Sequence, residues 1–80
     1  MIDVILPELG EGITQATVSF WHFTEGERVE EGVDLVEMAT EKATFNMPSP
    51  ASGILRTIYF EEGDMVKVGG VLALIEEEAE

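Results

Sequence analysis

The chain contains no cysteine, so neither a disulfide nor a thiolate metal site can be built from its 80 residues. Its single histidine, His22, excludes a histidine-based metal cluster and leaves a Cys–His pair without either a thiol or a spare imidazole. Ser19 lies three positions from that histidine, and on a strand an odd separation points two side chains to opposite faces. Carboxylates are plentiful but follow no calcium-loop spacing. No metal site and no catalytic constellation is therefore expected. Basic residues are the scarcest charged type: Arg28, Lys42, Arg56 and Lys67 stand against 17 acids, for a net charge of −13. Such a surface repels phosphate backbones and anionic lipid headgroups, which excludes nucleic acid and membrane as partners. No apolar run approaches the roughly 20 residues of a membrane span, and the start, "MIDVILPELG", lacks the basic opening of a signal peptide. The expectation is one small soluble domain over residues 1–80, with 77–80 as a frayed tail or the start of a linker.

What is present is written twice. "FTEGERVEEGVDL" (23–35) and "FEEGDMVKVGGVL" (60–72) stand 37 residues apart. Phe23/Phe60, Glu25/Glu62, Gly26/Gly63, Val29/Val66, Gly32/Gly69 and Leu35/Leu72 are identical pairs, and Glu27/Asp64 is a close seventh. The match continues upstream to Ala16/Gly53 and Val18/Leu55, and downstream to Met38/Ile75. Two copies are too few for a solenoid, so they read as halves of one closed domain. "ATVSFWHF" (16–23) and "GILRTIYF" (53–60) are β-branched and aromatic and end at glycine turns, and very short strands are expected around Val29 and Val66. In the second stretch Ile54, Arg56, Ile58 and Phe60 alternate with Leu55, Thr57 and Tyr59. Trp21 reads as a packing residue, and His22 as a strand residue beside Phe20 or at a sheet margin. No helical period is found, and Pro7, Pro48 and Pro50 interrupt the nearest candidates. The fold class is all-β, a flattened barrel or sandwich with a pseudo-twofold axis relating its halves.

Between the halves lies "ATEKATF" (39–45), with one lysine flanked by two apolar strands. Thr40-Glu41-Lys42-Ala43 has the polar, glycine-free character of a type I turn. Under the 37-residue offset Lys42 corresponds to residue 79, so this turn is expected at one end of the molecule and both chain termini at the other. A lysine held at its base and free at its tip suits covalent attachment.

Taken together, "LPELGEGI" (6–13), "FTEGERVEEGVDL", the turn "TEKA", "MPSPASG" (47–53) and "EEGDMVKVGGVL" (61–72) resemble the lipoyl domain of 2-oxo acid dehydrogenase complexes, over nearly the whole chain. The resemblance implies two four-stranded antiparallel sheets with a modified lysine at a hairpin tip. It implies lipoic acid in amide linkage to Lys42, with Thr40, Glu41 and Ala43 as the turn around it. The implied role is a swinging-arm carrier within a dihydrolipoyl acyltransferase, not an enzyme by itself. Its implied partners are a thiamine-diphosphate decarboxylase, the acyltransferase catalytic domain, a flavin-dependent dihydrolipoyl dehydrogenase and a lipoate ligase or lipoyltransferase. The implied location is bacterial or archaeal cytoplasm, or the mitochondrial matrix of a eukaryote. Lipoyl domains usually read Glu-Thr-Asp-Lys-Ala at the turn, whereas this chain has Ala39 and Glu41 at the first and third places. The related biotinyl domain sets its lysine between two methionines, and here the neighbours are Glu41 and Ala43. A lipoyl-like interaction module without the modification is the further alternative. Gly10 and Gly12 let the "ELGEGIT" loop (8–14) turn, and resembling domains bring this loop to the lysine. Glu8, Glu11 and Glu41 are then expected to form an acidic rim that a basic partner surface reads.

Overall fold

In a computed structural model, which describes residues 1–78, eight strands form two four-stranded antiparallel sheets with no helix among the described residues. The strands are β1 (Ile2–Ile5), β2 (Gln15–Trp21), β3 (Arg28–Val29), β4 (Asp34–Ala39), β5 (Thr44–Pro48), β6 (Gly53–Ile58), β7 (Met65–Lys67) and β8 (Val71–Glu77). One sheet has the order β1-β8-β6-β3 and the other β5-β4-β2-β7. The sheets stack as a sandwich and do not close into a continuous barrel.

Adding four to each strand number, modulo eight, converts one order into the other, which is the pseudo-twofold stated as topology. The equivalence extends to single residues. Val18 faces Met38, and 37 residues on Leu55 faces Ile75; Ala16 faces Val66 as Gly53 faces Val29. Even the irregularity is duplicated, because β2 slips register between Val18 and Phe20 and β6 between Leu55 and Thr57. That bulge limits the simple alternation expected for residues 54–60. The strands also stop earlier than residues 23 and 60. The chain bends after Trp21 and Ile58 into turns where the Thr24 amide donates to Glu27 Oε1 at 2.7 Å and the Glu61 amide to Asp64 Oδ2 at 2.8 Å. His22 consequently lies just outside the strand, exposed, its ring 5.3 Å edge-on from Phe20. Trp21 is half-buried and its indole Nε1 donates to the Phe60 carbonyl at 2.8 Å.

Each sheet presents one apolar face, and the two faces meet in a single core. Val29 and Val66 are 1% exposed, and Leu35 and Leu72 are fully buried, so repeated residues occupy equivalent interior places. Leu6, Val18, Val36, Met38, Leu55 and Ile75 complete the centre. The glycine pairs Gly26/Gly63 and Gly32/Gly69 all have φ between 89° and 94°, where a side chain is strained. Gly53 is needed for a different reason: a Cβ there would sit 2.0 Å from the Glu76 carbonyl oxygen. Its close approach carries β8 further than the expected tail allowed. Glu77 pairs with Gly53, and the Glu78 amide donates to the Ser52 carbonyl at 3.0 Å. Arg28 also bonds the Glu78 carboxylate, which holds that carboxyl below its usual range. This exposed contact favours folding above the ordinary carboxylate range and fades as pH falls through the lowered value. Residues 79 and 80, including the expected counterpart of Lys42, lie outside the described residues.

The long dimension is 41 Å against 20 and 18 Å. Trp21 and Ile58, the equivalent ends of β2 and β6, line one shared cleft, so both strands run toward the twofold axis. Their antiparallel neighbours β4 and β8 run away from it, and symmetry sends those two ends to opposite ends of the molecule. The β4–β5 turn that carries Lys42 thus lies far from the end where β1 and β8 bring the termini together. Replacing Leu35 or Leu72 by alanine is expected to destabilise the domain by about 2–5 kcal/mol in either half. Urea unfolding measures this, and one substitution costing little while the other costs several kcal/mol would break the equivalence of the halves.

Candidate functional site

Four residues make the lysine turn. The Thr40 amide donates to the Ala43 carbonyl at 2.8 Å and closes the hairpin after the Ala39–Thr44 pair. Among the described residues no non-glycine residue has positive φ, so Glu41 and Lys42 do not form the mirror-image turn usual for two-residue hairpins. The Thr40 hydroxyl supplies what holds the loop instead. It donates to the Ala43 carbonyl at 3.1 Å and accepts from the Lys42 and Ala43 amides, each at 3.2 Å. A side chain closing the turn in this way satisfies amides that the backbone alone leaves open. The sequence marked Thr40 as turn context; its clasping role follows from the threonine hydroxyl two residues before the lysine.

Glu41, Lys42 and Ala43 are exposed. Among the described residues no carboxylate lies within ion-pair distance of Lys42, whereas Arg28 and Arg56 are bound by Glu30, Glu78 and Glu76. The Lys42 side chain is therefore accessible at the tip of the turn. Below it the β4–β5 ladder runs from Ala39–Thr44 through Met38–Phe45 and Glu37–Asn46 to Val36–Met47, and buried Met38 and Met47 anchor it. A buried, laddered base thus carries an exposed tip.

The loop between β1 and β2 is placed beside this turn. Leu6 is fully buried, with its amide bonded to the Gly70 carbonyl at 3.0 Å and its carbonyl accepting from Gly69 at 2.8 Å. Leu9 packs on the core, and the Ile13 amide donates to the Gly10 carbonyl at 3.2 Å. Gly10 and Gly12 have φ of 123° and 81°, so both are glycine for the conformational reason expected. Gly12, Ile13 and Thr14 form one wall of a groove of about 440 Å³ whose other wall is Ala39, Thr40 and Glu41. The loop and the lysine turn therefore share a boundary. Of the expected rim, Glu41 lines this groove, while Glu8, Gly10 and Glu11 are exposed on the same loop outside its lining.

This loop is also where the twofold fails. By register Ile2 takes the place of Phe45 and Val4 that of Met47, an offset of 43 residues where the rest of the chain keeps 37. The β1–β2 connection is thus six residues longer than its β5–β6 counterpart. The repeat match upstream of Ala16 is hidden by that difference, although alternating apolar residues at Ile2/Phe45 and Val4/Met47 carry a trace of it.

Thr40→Val is expected to cost about 1 kcal/mol, the net worth of an ordinary hydrogen bond. It should also speed amide exchange at Lys42 and Ala43, while Thr40→Ser keeps both slow. Unchanged exchange in the valine variant would show that the hydroxyl does not hold the turn.

Residues 2–75 match the biotin–lipoyl family, described as "Biotin-requiring enzyme". The chain is 42% identical over 73 residues to the dihydrolipoyllysine-residue acetyltransferase component of the pyruvate dehydrogenase complex of Corynebacterium glutamicum, covering 91% of this chain and 11% of that protein. It is also 42% identical over 74 residues to the dihydrolipoyllysine-residue succinyltransferase component of the 2-oxoglutarate dehydrogenase complex of Bartonella vinsonii subsp. berkhoffii, covering 92% and 18%. The chain thus spans under a fifth of the length of these relatives. Among solved structures, the lipoyl domain of the 2-oxoglutarate dehydrogenase complex from Azotobacter vinelandii superposes with a TM-score of 0.81 at 32% identity, over 99% of this chain and all of that one. Duplicated all-β topology, a clasped lysine hairpin and full-length agreement with a solved lipoyl domain converge: the chain belongs to the biotin–lipoyl family, as one of its lipoyl domains.

Proposed function

We propose that Lys42 is the lipoylation site and that the domain serves as the acyl carrier of a 2-oxo acid dehydrogenase complex, within a dihydrolipoyl acyltransferase. The observation that carries this reading is the lysine's placement, exposed at the tip of the hairpin joining the two halves and without an ion-pair partner among the described residues. The residues fit the group. Condensation of the Lys42 Nζ with a lipoyl carboxyl group forms an amide with loss of water, and the turn leaves space for it. When attached, lipoate supplies a dithiolane that accepts an acyl group together with reducing equivalents.

The chain's own contribution is presentation. Thr40 fixes the backbone beneath the lysine, and the β4–β5 ladder ties that backbone to the core. The turn's position far from the termini keeps the reactive end clear of whatever tethers the domain. Tethering in turn raises the effective concentration at each partner site without any new contact. The partners on this reading are a thiamine-diphosphate decarboxylase, an acyltransferase domain, a dihydrolipoyl dehydrogenase and the lipoate-attaching enzyme. Glu41 beside the lysine, with Glu8 and Glu11 on the loop that borders the same groove, suits a basic partner surface. Glu41 and Ala43 flanking the lysine, where biotinyl domains have methionines, favour lipoate over biotin.

Incubation with lipoate, ATP and a lipoate ligase tests the assignment by intact mass. Lys67→Arg protein should gain one lipoyl group and Lys42→Arg protein none, since a guanidinium is a poor nucleophile for amide formation. Label on the Lys42→Arg protein would refute the site. Ala39→Glu, which restores the usual turn residue, should modify at least as well as the parent. For the rim, the lipoylated Glu8→Gln/Glu11→Gln/Glu41→Gln protein should be acylated more slowly by its decarboxylase and with weaker salt dependence, because exposed charges are screened over about 8 Å at physiological ionic strength. Rates equal to the parent at low and moderate salt would reduce the rim to a solubility feature.

A further inference from the structure

The groove beside the lysine turn is walled on one side by the β1–β2 loop, which carries six residues that its symmetry mate lacks. The short β5–β6 connection shows that the fold needs none of them. Their effect is to raise Gly12, Ile13 and Thr14 as a wall facing Thr40 and Glu41, next to the residue that the proposed function makes an attachment point. Across the floor, Thr17 pairs with Ala39 on one side and with Met65 on the other, so Ala39, Thr17 and Met65 form one row across the sheet.

Met65 is 57% exposed at the far end of that row. Its equivalent in the other half is Arg28, which is exposed and paired with Glu30 and Glu78. A charged residue therefore satisfies the same backbone position, and an exposed thioether is not imposed by the fold. In the next row Ser19 is bonded to Glu37 at 2.9 Å, and Glu37 faces Asn46 on one side and the exposed Phe20 on the other, outside the groove lining. Met65 thus gives the groove beside the lysine turn a sulfur-bearing, apolar end, with Ile13 as the large apolar residue of its loop wall.

Resting on the assignment of lipoate to Lys42, we infer that this groove is a docking site for the neutral lipoyl arm itself, with the dithiolane against Met65 and Ile13. Three properties agree. Amide formation removes the lysine charge, so the arm is uncharged and its chain and ring are apolar. Neighbouring strands lie about 4.8 Å apart, which puts Met65 about 10 Å from Ala39. The lysyl side chain and the lipoyl chain together supply roughly ten single bonds of about 1.5 Å, enough to cross that distance. A groove of about 440 Å³ lies within the roughly 300–1,000 Å³ of small-molecule sites, and methionine packs adaptably against sulfur-containing groups. The docked arm is shielded between transfers, and a partner surface competes with the groove for it.

The test compares backbone amide spectra of the 15N-labelled 80-residue chain before and after lipoylation, with intact mass recorded first. Docking predicts shifts at Ile13, Thr17 and Met65 as large as those at Glu41 and Ala43. In lipoylated Met65→Arg protein, which carries the residue used at the symmetry-related position, these distant shifts should vanish and those of the turn remain. Shifts confined to the turn in the parent, or a pattern unchanged in Met65→Arg, would overturn the docking site. A chain whose mass does not change overturns the Lys42 assignment instead, and the mass reveals that before any spectrum is read.

Discussion

Each four-stranded sheet takes two strands from either half of the chain and has only one apolar face, and neither sheet can bury that face alone. Leu35 and Val36 of one sheet need Leu72 and Ala73 of the other, and together they form an interior from which water is excluded. This mutual burial is what turns a duplicated sequence into a closed body, since an isolated sheet of this size would leave its Val, Leu and Ile side chains in water. The twofold arrangement follows as the way in which two like faces meet. It also fixes the position of the turn joining the halves, because β4 and β8 must run outward from a shared axis in opposite directions.

Function enters where the two halves differ. The β4–β5 turn is the covalent junction, so the position that in the other half is occupied by chain ends carries here a threonine-clasped lysine. The β1–β2 loop is the other difference, longer by six residues and pinned by Leu6 and Leu9 so that it stands against that turn. Met65 in place of an arginine is a third. These three departures from symmetry converge on one end of the molecule, while the symmetric remainder supplies a stiff and highly charged support. An acidity of −13 keeps that support soluble and disfavours association between copies.

Much of this was legible in the residues. Glycines at 26/63 and 32/69, spaced against Val29/Val66 and Leu35/Leu72, demanded two equivalent sets of turns and core positions, and the structure has both. The lysine turn was legible from its lack of glycine and its apolar flanks. Less visible were the ends of β2 and β6, because the aromatic run through Phe23 and Phe60 continues past the bend that Glu27 and Asp64 impose by capping. The tail from residue 77 was read as frayed or as the start of a linker. Glu77 is nevertheless held in the ladder by the space that Gly53 leaves, a tertiary effect that no local pattern encodes. The groove was invisible for a similar reason: Ile13, Thr17 and Met65 meet only through strand register.

The central claim is that a single lysine, presented at the far end of a duplicated support, carries the cofactor. Peptide mapping by mass spectrometry of the protein isolated from its native source tests it most directly. The account predicts one lipoyl group, confined to the peptide containing Lys42. An unmodified Lys42, a biotinyl group in its place, or lipoyl label on Lys67 would contradict it.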